Sequence, residues 1–170
     1  VSVIGTAYLG NECLEGSSLV NYFLSATTLD KFSSLLSSLN GIFSVIIQKG
    51  DFVASAIDIT RLYPIFYTFK DENWYISDNP YLLISTHSRL SSDALLQIRS
   101  LDTVFSGNTL IKDVYQLEVG EIVEFKEEGK VEKHRYFHYN VHTSQVQSSD
   151  VDTLEAVLKS AVDRLVGRAA

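Results

Sequence analysis

The 170 residues, 45% hydrophobic and 21% charged, have the composition of one globular domain long enough to bury a core. A net charge of −7 with no concentration of Lys and Arg argues against a nucleic-acid or anionic-membrane partner. No apolar run approaches the ~20 residues that span a bilayer, and the start shows no secretory signal, so the expected compartment is the cytoplasm. The single cysteine, Cys13, excludes an internal disulfide, and no Cys/His spacing suggests structural zinc. Met is absent even at position 1, so both ends read as cuts of a longer polypeptide.

Residues 1–9 have strand composition, and Gly5 inside them marks a bulge or a close backbone approach. Residues 11–18 read as a polar turn and 19–24 as a short helix. A better helix is expected over 28–40. Thr28 can cap it, Asp30 suits its first turn, and Leu29, Phe32, Leu35, Leu36 and Leu39 form a core-facing stripe that Asn40-Gly41 ends. Residues 41–48 and 52–57, rich in Val, Ile and Phe, flank Lys49-Gly50-Asp51 as a hairpin. A second hairpin joins 64–69 to 73–77, with Phe66, Tyr67, Phe69, Trp74 and Tyr75 suited to cross-strand pairing. Because Phe43, Val45 and Ile47 alternate with Ile42 and Ile46, the first of these strands is expected to be covered on both faces.

Ser77-Asp78-Asn79-Pro80 has the pattern of a helix start, with Asp78 as cap or, failing that, as an interface group, and a short helix over 80–86. Ser91 or Ser92 caps a helix through 105 that Gly107 ends. From Asp113 the period returns to two, giving strands over 114–118, 121–126 and 130–138; the charges at Glu121, Glu124 and Lys126 predict one solvated face. Residues 140–150 are linker-like. A helix over 151–166 keeps Leu154, Val157, Leu158, Ala161, Val162 and Leu165 on one side and needs something to pack on. Pattern alone therefore gives α+β, an antiparallel sheet covered by helices.

Within residues 39–79 the order Leu39, Gly41, Phe43, a hairpin, Asp58, Pro64-Ile65-Phe66-Tyr67, a hairpin, and Ser77-Asp78 resembles the N-terminal glutaminase domain of the asparagine synthase family. These are class II glutamine amidotransferases of the N-terminal-nucleophile (Ntn) hydrolase superfamily. The resemblance covers nearly the whole chain, with Leu117-Glu118-Val119-Gly120 at the family's leucine-x-proline-glycine turn. It implies a four-layer αββα sandwich of two antiparallel sheets between helices. It also implies a domain over 1–139, a linker over 140–150, and a helix over 151–170 entering a C-terminal synthetase domain. That domain would be the main partner and would carry ATP and Mg; no cofactor is expected in the domain described by this sequence. Association as a homodimer is left open.

The family reaction needs an N-terminal Cys, an oxyanion hole and an Arg for the glutamine carboxylate. Val1 offers no nucleophile, and Cys13, in Cys-Leu-Glu-Gly, lacks the family's context and reads as an ordinary small side chain in a turn. If residues 4–9 match the family strand Asn-Gly-Glu-Ile-Tyr-Asn, Gly5 keeps the glycine and is the one substrate-binding candidate. Ile4 then replaces the oxyanion Asn and Thr6 the Glu. The family's Arg-Asp pair is Ile57-Asp58, its glycine three residues on is Arg61, and its Ser-Asp dipeptide finds no match in residues 25–29. No catalytic residue is assigned. Asp58 and Arg61 are expected to anchor their loop as a pair or, with Asp78, to face the synthetase domain.

His134, His138 and His142 would share one face of an extended strand, but no carboxylate stands at ligand spacing and the interleaved Tyr136 and Tyr139 favour a tyrosine-rich strand end, so no metal is assigned. The reading that results is a glutaminase-like domain, degenerate in hydrolysis and acting in docking. Two alternatives stand beside it: an active amidotransferase whose Cys lies upstream, and a small-molecule binding module.

Overall fold

A computed structural model describes residues 1–139 and 148–169, which divide into two units, Val1–His138 and Tyr139–Ala170. In chain order the first unit contains β1 (Ser2–Leu9), β2 (Glu12–Glu15), α1 (Ser17–Phe23), α2 (Leu29–Ser37), β3 (Leu39–Lys49), β4 (Phe52–Ile57), β5 (Phe66–Lys70), β6 (Asn73–Ser77), α3 (Ser92–Leu101), β7 (Tyr115–Gln116), β8 (Glu121–Phe125) and β9 (Val131–Arg135). The second contains α4 (Ser148–Ala169). The architecture is α+β, with two antiparallel sheets and four helices among the described residues. None of those helices is long and apolar enough to cross a membrane.

The larger sheet runs β2-β1-β3-β4-β8-β9, the smaller β6-β5-β7. Strand alternation gives the larger sheet two different faces. One presents Ala7, Phe43, Val45, Ile47, Ala54, Ala56 and Ile122, and α1 and α2 cover it with Leu19, Phe23, Phe32 and Leu36, all buried. The other presents Ile57, Val123 and Phe125 to Ile65 and Tyr67, closing a second core between the sheets. There the Tyr67 and Trp74 rings lie 5.3 and 5.0 Å from that of Phe125. Trp74 Nε1 donates to Lys126 O at 2.8 Å, tying the small sheet to the end of β8.

Both expected hairpins form, β3–β4 in one sheet and β5–β6 in the other. Several local expectations give way to tertiary pairing. Residues 11–18 are not a turn throughout: Leu9 pairs with Glu12, so Gly10-Asn11 closes a hairpin and β2 extends from it, burying Leu14. Thr28 caps α2 through Lys31 N–H as expected, but α2 stops at Ser37, because Leu39 and Asn40 pair with Leu9 and Tyr8 of β1. Coverage of β3 is one-sided at its start: Ile42 is exposed, while Ile46 reaches the second core.

The capping side chain before Pro80 is Asn79, whose Oδ1 accepts Tyr81 N–H at 3.0 Å, and only a 3₁₀ turn, Pro80–Leu82, follows. Ser91 caps α3, which ends at Leu101 where Asp102 turns left-handed, well before Gly107. Only Ala94 of α3 is buried, so little packing extends it. β8 has no solvated face: it lies between β4 and β9 with all five residues buried. Its carboxylates survive burial through partners. Glu121 accepts Glu118 N–H at 2.9 Å with Lys133 Nζ at 3.6 Å, and Lys126 Nζ holds Glu124 at 2.6 Å.

α4 begins before the expected position 151 and runs beyond 166; Val151, Leu154, Val157, Leu158, Val162 and Val166 are exposed. The expected linker falls mainly on 140–147, outside the described residues.

Candidate functional site

The convergence point of the first unit is Asp58, the residue after β4 and only 2% exposed. Its Oδ2 accepts Phe43 N–H at 2.7 Å from β3. Its Oδ1 accepts the Thr60 hydroxyl at 2.6 Å, the Arg61 N–H at 2.9 Å and the Thr60 N–H. Its own N–H donates to Phe43 O at 3.1 Å, and its carbonyl accepts Gly120 N–H at 3.0 Å. A carboxylate offers about four lone-pair sites, and four donors occupy this one. The side chain therefore fixes the loop after β4 onto β3.

Asp58 lines a cleft of about 330 Å³ with Leu36, Gly41, Phe43, Ile59 and Tyr136. The Tyr136 hydroxyl donates to Ile57 O at 2.8 Å, and its N–H donates to Gly120 O at 3.0 Å. Burial, and then the Asp58 charge, push the Tyr136 phenol above its ordinary range. Tyr67 is raised likewise, first by burial and then by Glu121. The role of Tyr136 is invisible in sequence, because its partner is 79 residues away.

The loop that Asp58 anchors passes through Arg61, at φ 54. That left-handed conformation is what a glycine there would adopt without strain. The pairing of Asp58 with Arg61 runs through the Arg61 backbone N–H, and the guanidinium forms no ion pair among the described residues. Asp78 is exposed and receives the Ser77 hydroxyl at 3.4 Å. It lies outside the 330 Å³ cleft.

Gly5, opposite Phe43 in the β1–β3 ladder, has φ 96. A β-carbon on it would sit 2.1 Å from Ile42 O and 2.9 Å from the Tyr63 ring, so β1 and β3 meet there through bare backbone. The expected close approach is present, and Tyr63 covers it. Ile4 brings an apolar, partly exposed side chain beside it. Cys13 is exposed on β2 opposite Tyr8, three residues along β1 from Gly5, or roughly 10 Å of strand. It belongs to a strand and not to the expected turn.

The expected histidine face does not form on β9, which ends at Arg135 before His138; His142 lies outside the described residues. His134 instead stands beside two glutamates. Glu124, Glu132 and His134 bring one ligand atom each within 4.8 Å of the others. Lys126 already answers that charge, with Nζ 2.6 Å from Glu124 and 4.0 Å from Glu132.

No protein-family model matches the chain, and no curated protein matches it. Among solved structures the chain is similar to the glutamine phosphoribosylpyrophosphate (PRPP) amidotransferase of B. subtilis complexed with ADP and GMP. The identity is 13% over 81% of this chain and 29% of that one, with a TM-score of 0.47. It is also similar to a structure described as the allosteric regulatory enzyme of purine biosynthesis, at 13% identity over 81% of this chain and 28% of that one, with a TM-score of 0.46. The chain thus spans less than a third of the length of either structure.

Proposed function

We propose that the first unit is the glutaminase-like domain, in the four-layer αββα arrangement, of an asparagine synthase-like, ATP-dependent amide-forming ligase, and that it no longer hydrolyses glutamine. The motif order supports the ancestry: Leu39, Gly41 and Phe43 lie on β3, Asp58 follows β4, Pro64-Ile65 lead into β5, and Ser77-Asp78 leave β6. Gly41, Phe43, Asp58, Ile65 and Ser77 among them have packing or hydrogen-bonding roles that do not depend on the chemistry.

The surroundings of Gly5 carry the loss of activity. Acyl transfer needs preorganised donors where the oxyanion forms, and removal of one costs about 3–4 kcal/mol of barrier. At this position the side chain before Gly5 is the hydrocarbon of Ile4, which cannot donate a hydrogen bond, and the Tyr63 ring lies against the glycine. The nearby carboxylate of Asp58 is engaged by four donors of the chain itself. The domain then serves as a docking surface for the synthetase domain, where ATP and Mg would act.

Treating the full-length protein with an electrophilic glutamine analogue tests this reading by intact mass. The expected result is no stoichiometric adduct. A single adduct that excess glutamine prevents would restore the active amidotransferase.

A further inference from the structure

On the face of the small sheet turned away from Tyr67, β5 and the segments 83–89 and 112–114 enclose a cleft of about 360 Å³. Its walls are tied together. Lys112 N–H donates to Arg89 O at 2.8 Å, Ser91 N–H to Leu110 O at 2.9 Å, and the Thr68 hydroxyl to Asp113 O at 2.7 Å. Ser85 and Ser88 fold one wall back on itself, with Ser85 N–H donating to Ser88 Oγ at 2.9 Å.

Lys70, Arg89 and Lys112 all line this cleft, with His87 beside them and Asp113 as its one carboxylate. The concentration runs against the composition of a chain with 14 Lys and Arg and a net charge of −7. Elsewhere in the first unit, Lys126, Lys130, Lys133 and Arg135 are paired with glutamates, while Lys31, Lys49, Arg61 and Arg99 form no ion pair among the described residues. Lys70, Arg89 and Lys112 form no ion pair among the described residues. Lys70 instead rests 4.7 Å from the centre of the Tyr75 ring, a contact that leaves its charge uncompensated. Three cations lining one concavity give it a positive potential that favours an anion.

We propose that this cleft binds a small phosphate monoester. Three cations surpass what one carboxylate can use and suit the dianionic phosphate group, whose three terminal oxygens accept from Arg as a fork and from Lys as a point charge. The Ser85 and Ser88 hydroxyls add donors at the rim, and the volume leaves room for a small organic body behind the phosphate. The site lies apart from Gly5 and Asp58 and does not depend on the proposed function.

Calorimetric titration of the full chain with inorganic phosphate and with glycerol 3-phosphate at physiological ionic strength tests it. Both probes should saturate one site, glycerol 3-phosphate more tightly. Arg89→Ala and Lys112→Ala should each weaken binding about tenfold or more, while Lys130→Ala should leave it unchanged. Arg89 and Lys112 are exposed, so unchanged melting temperatures confirm that the variants fold. No saturable heat at millimolar probe, or equal affinity in the Arg89→Ala, Lys112→Ala double variant, would overturn the proposal. So would binding to phosphatidic acid vesicles without binding to glycerol 3-phosphate.

Discussion

Replacing Asp58 by Ala removes one acceptor group from four donors at once. The donors are not equivalent. Phe43 N–H is in the core of the large sheet, where a lost partner costs the full penalty of about 1–3 kcal/mol. Thr60 and Arg61 are exposed residues whose N–H groups can turn to water, so each of their bonds is worth nearer 0.5–1 kcal/mol. The sum is about 2.5–6 kcal/mol, centred near 4. In a chain of this size that lowers the melting temperature by roughly 10 °C. Asp58→Asn should lose most of the same amount, because its NH₂ must face a donor wherever it points. Arg61→Ala, by contrast, keeps the backbone N–H and should change stability by less than about 0.5 kcal/mol. Thermal melts by circular dichroism read all three. If Asp58→Ala and Asp58→Asn both melt within about 2 °C of the parent, the carboxylate does not hold the loop and the account of the site fails.

Gly5→Ala places a β-carbon 2.1 Å from Ile42 O and must part β1 from β3; urea unfolding should show a loss of about 3 kcal/mol or more, and a neutral result would refute the close approach. Arg61→Gly should stabilise by up to about 1 kcal/mol by relieving the left-handed backbone, and a destabilised variant would show that the arginine side chain contributes a contact. The raised phenols of Tyr67 and Tyr136 have a defined sign. Both stay protonated in the folded chain above the pH at which an unfolded tyrosine ionises, so their contribution is complete below about pH 10 and is lost as pH climbs from there toward their folded values. Tyr67→Phe and Tyr136→Phe should therefore each leave the tyrosinate absorbance of the native chain unchanged until alkaline unfolding; loss of one tyrosine's amplitude before unfolding would contradict it.

The parts of the fold legible in sequence were those set by local pattern. The stripe through Phe32 and Leu36 gave α2, and the two hairpins appeared where short charged turns separated apolar runs. What failed were boundaries decided by distant partners. Leu39 continues the helical period yet pairs with Leu9, and the alternating charges of β8 suggested solvent where Lys126 and Lys133 make burial tolerable. Asp58 was legible as a candidate anchor from its position after a hairpin strand. Its bond to Phe43 N–H across the sheet was not, and neither were the Tyr63 ring over Gly5 and the Tyr136 hydroxyl on Ile57, since nothing in the neighbouring residues of any of them signals the contact.

The central claim, a glutaminase framework without glutaminase chemistry, is tested most directly by incubating full-length protein with glutamine and measuring glutamate release over time. The account predicts a rate indistinguishable from glutamine alone. Release that saturates with glutamine and scales with protein concentration would contradict it.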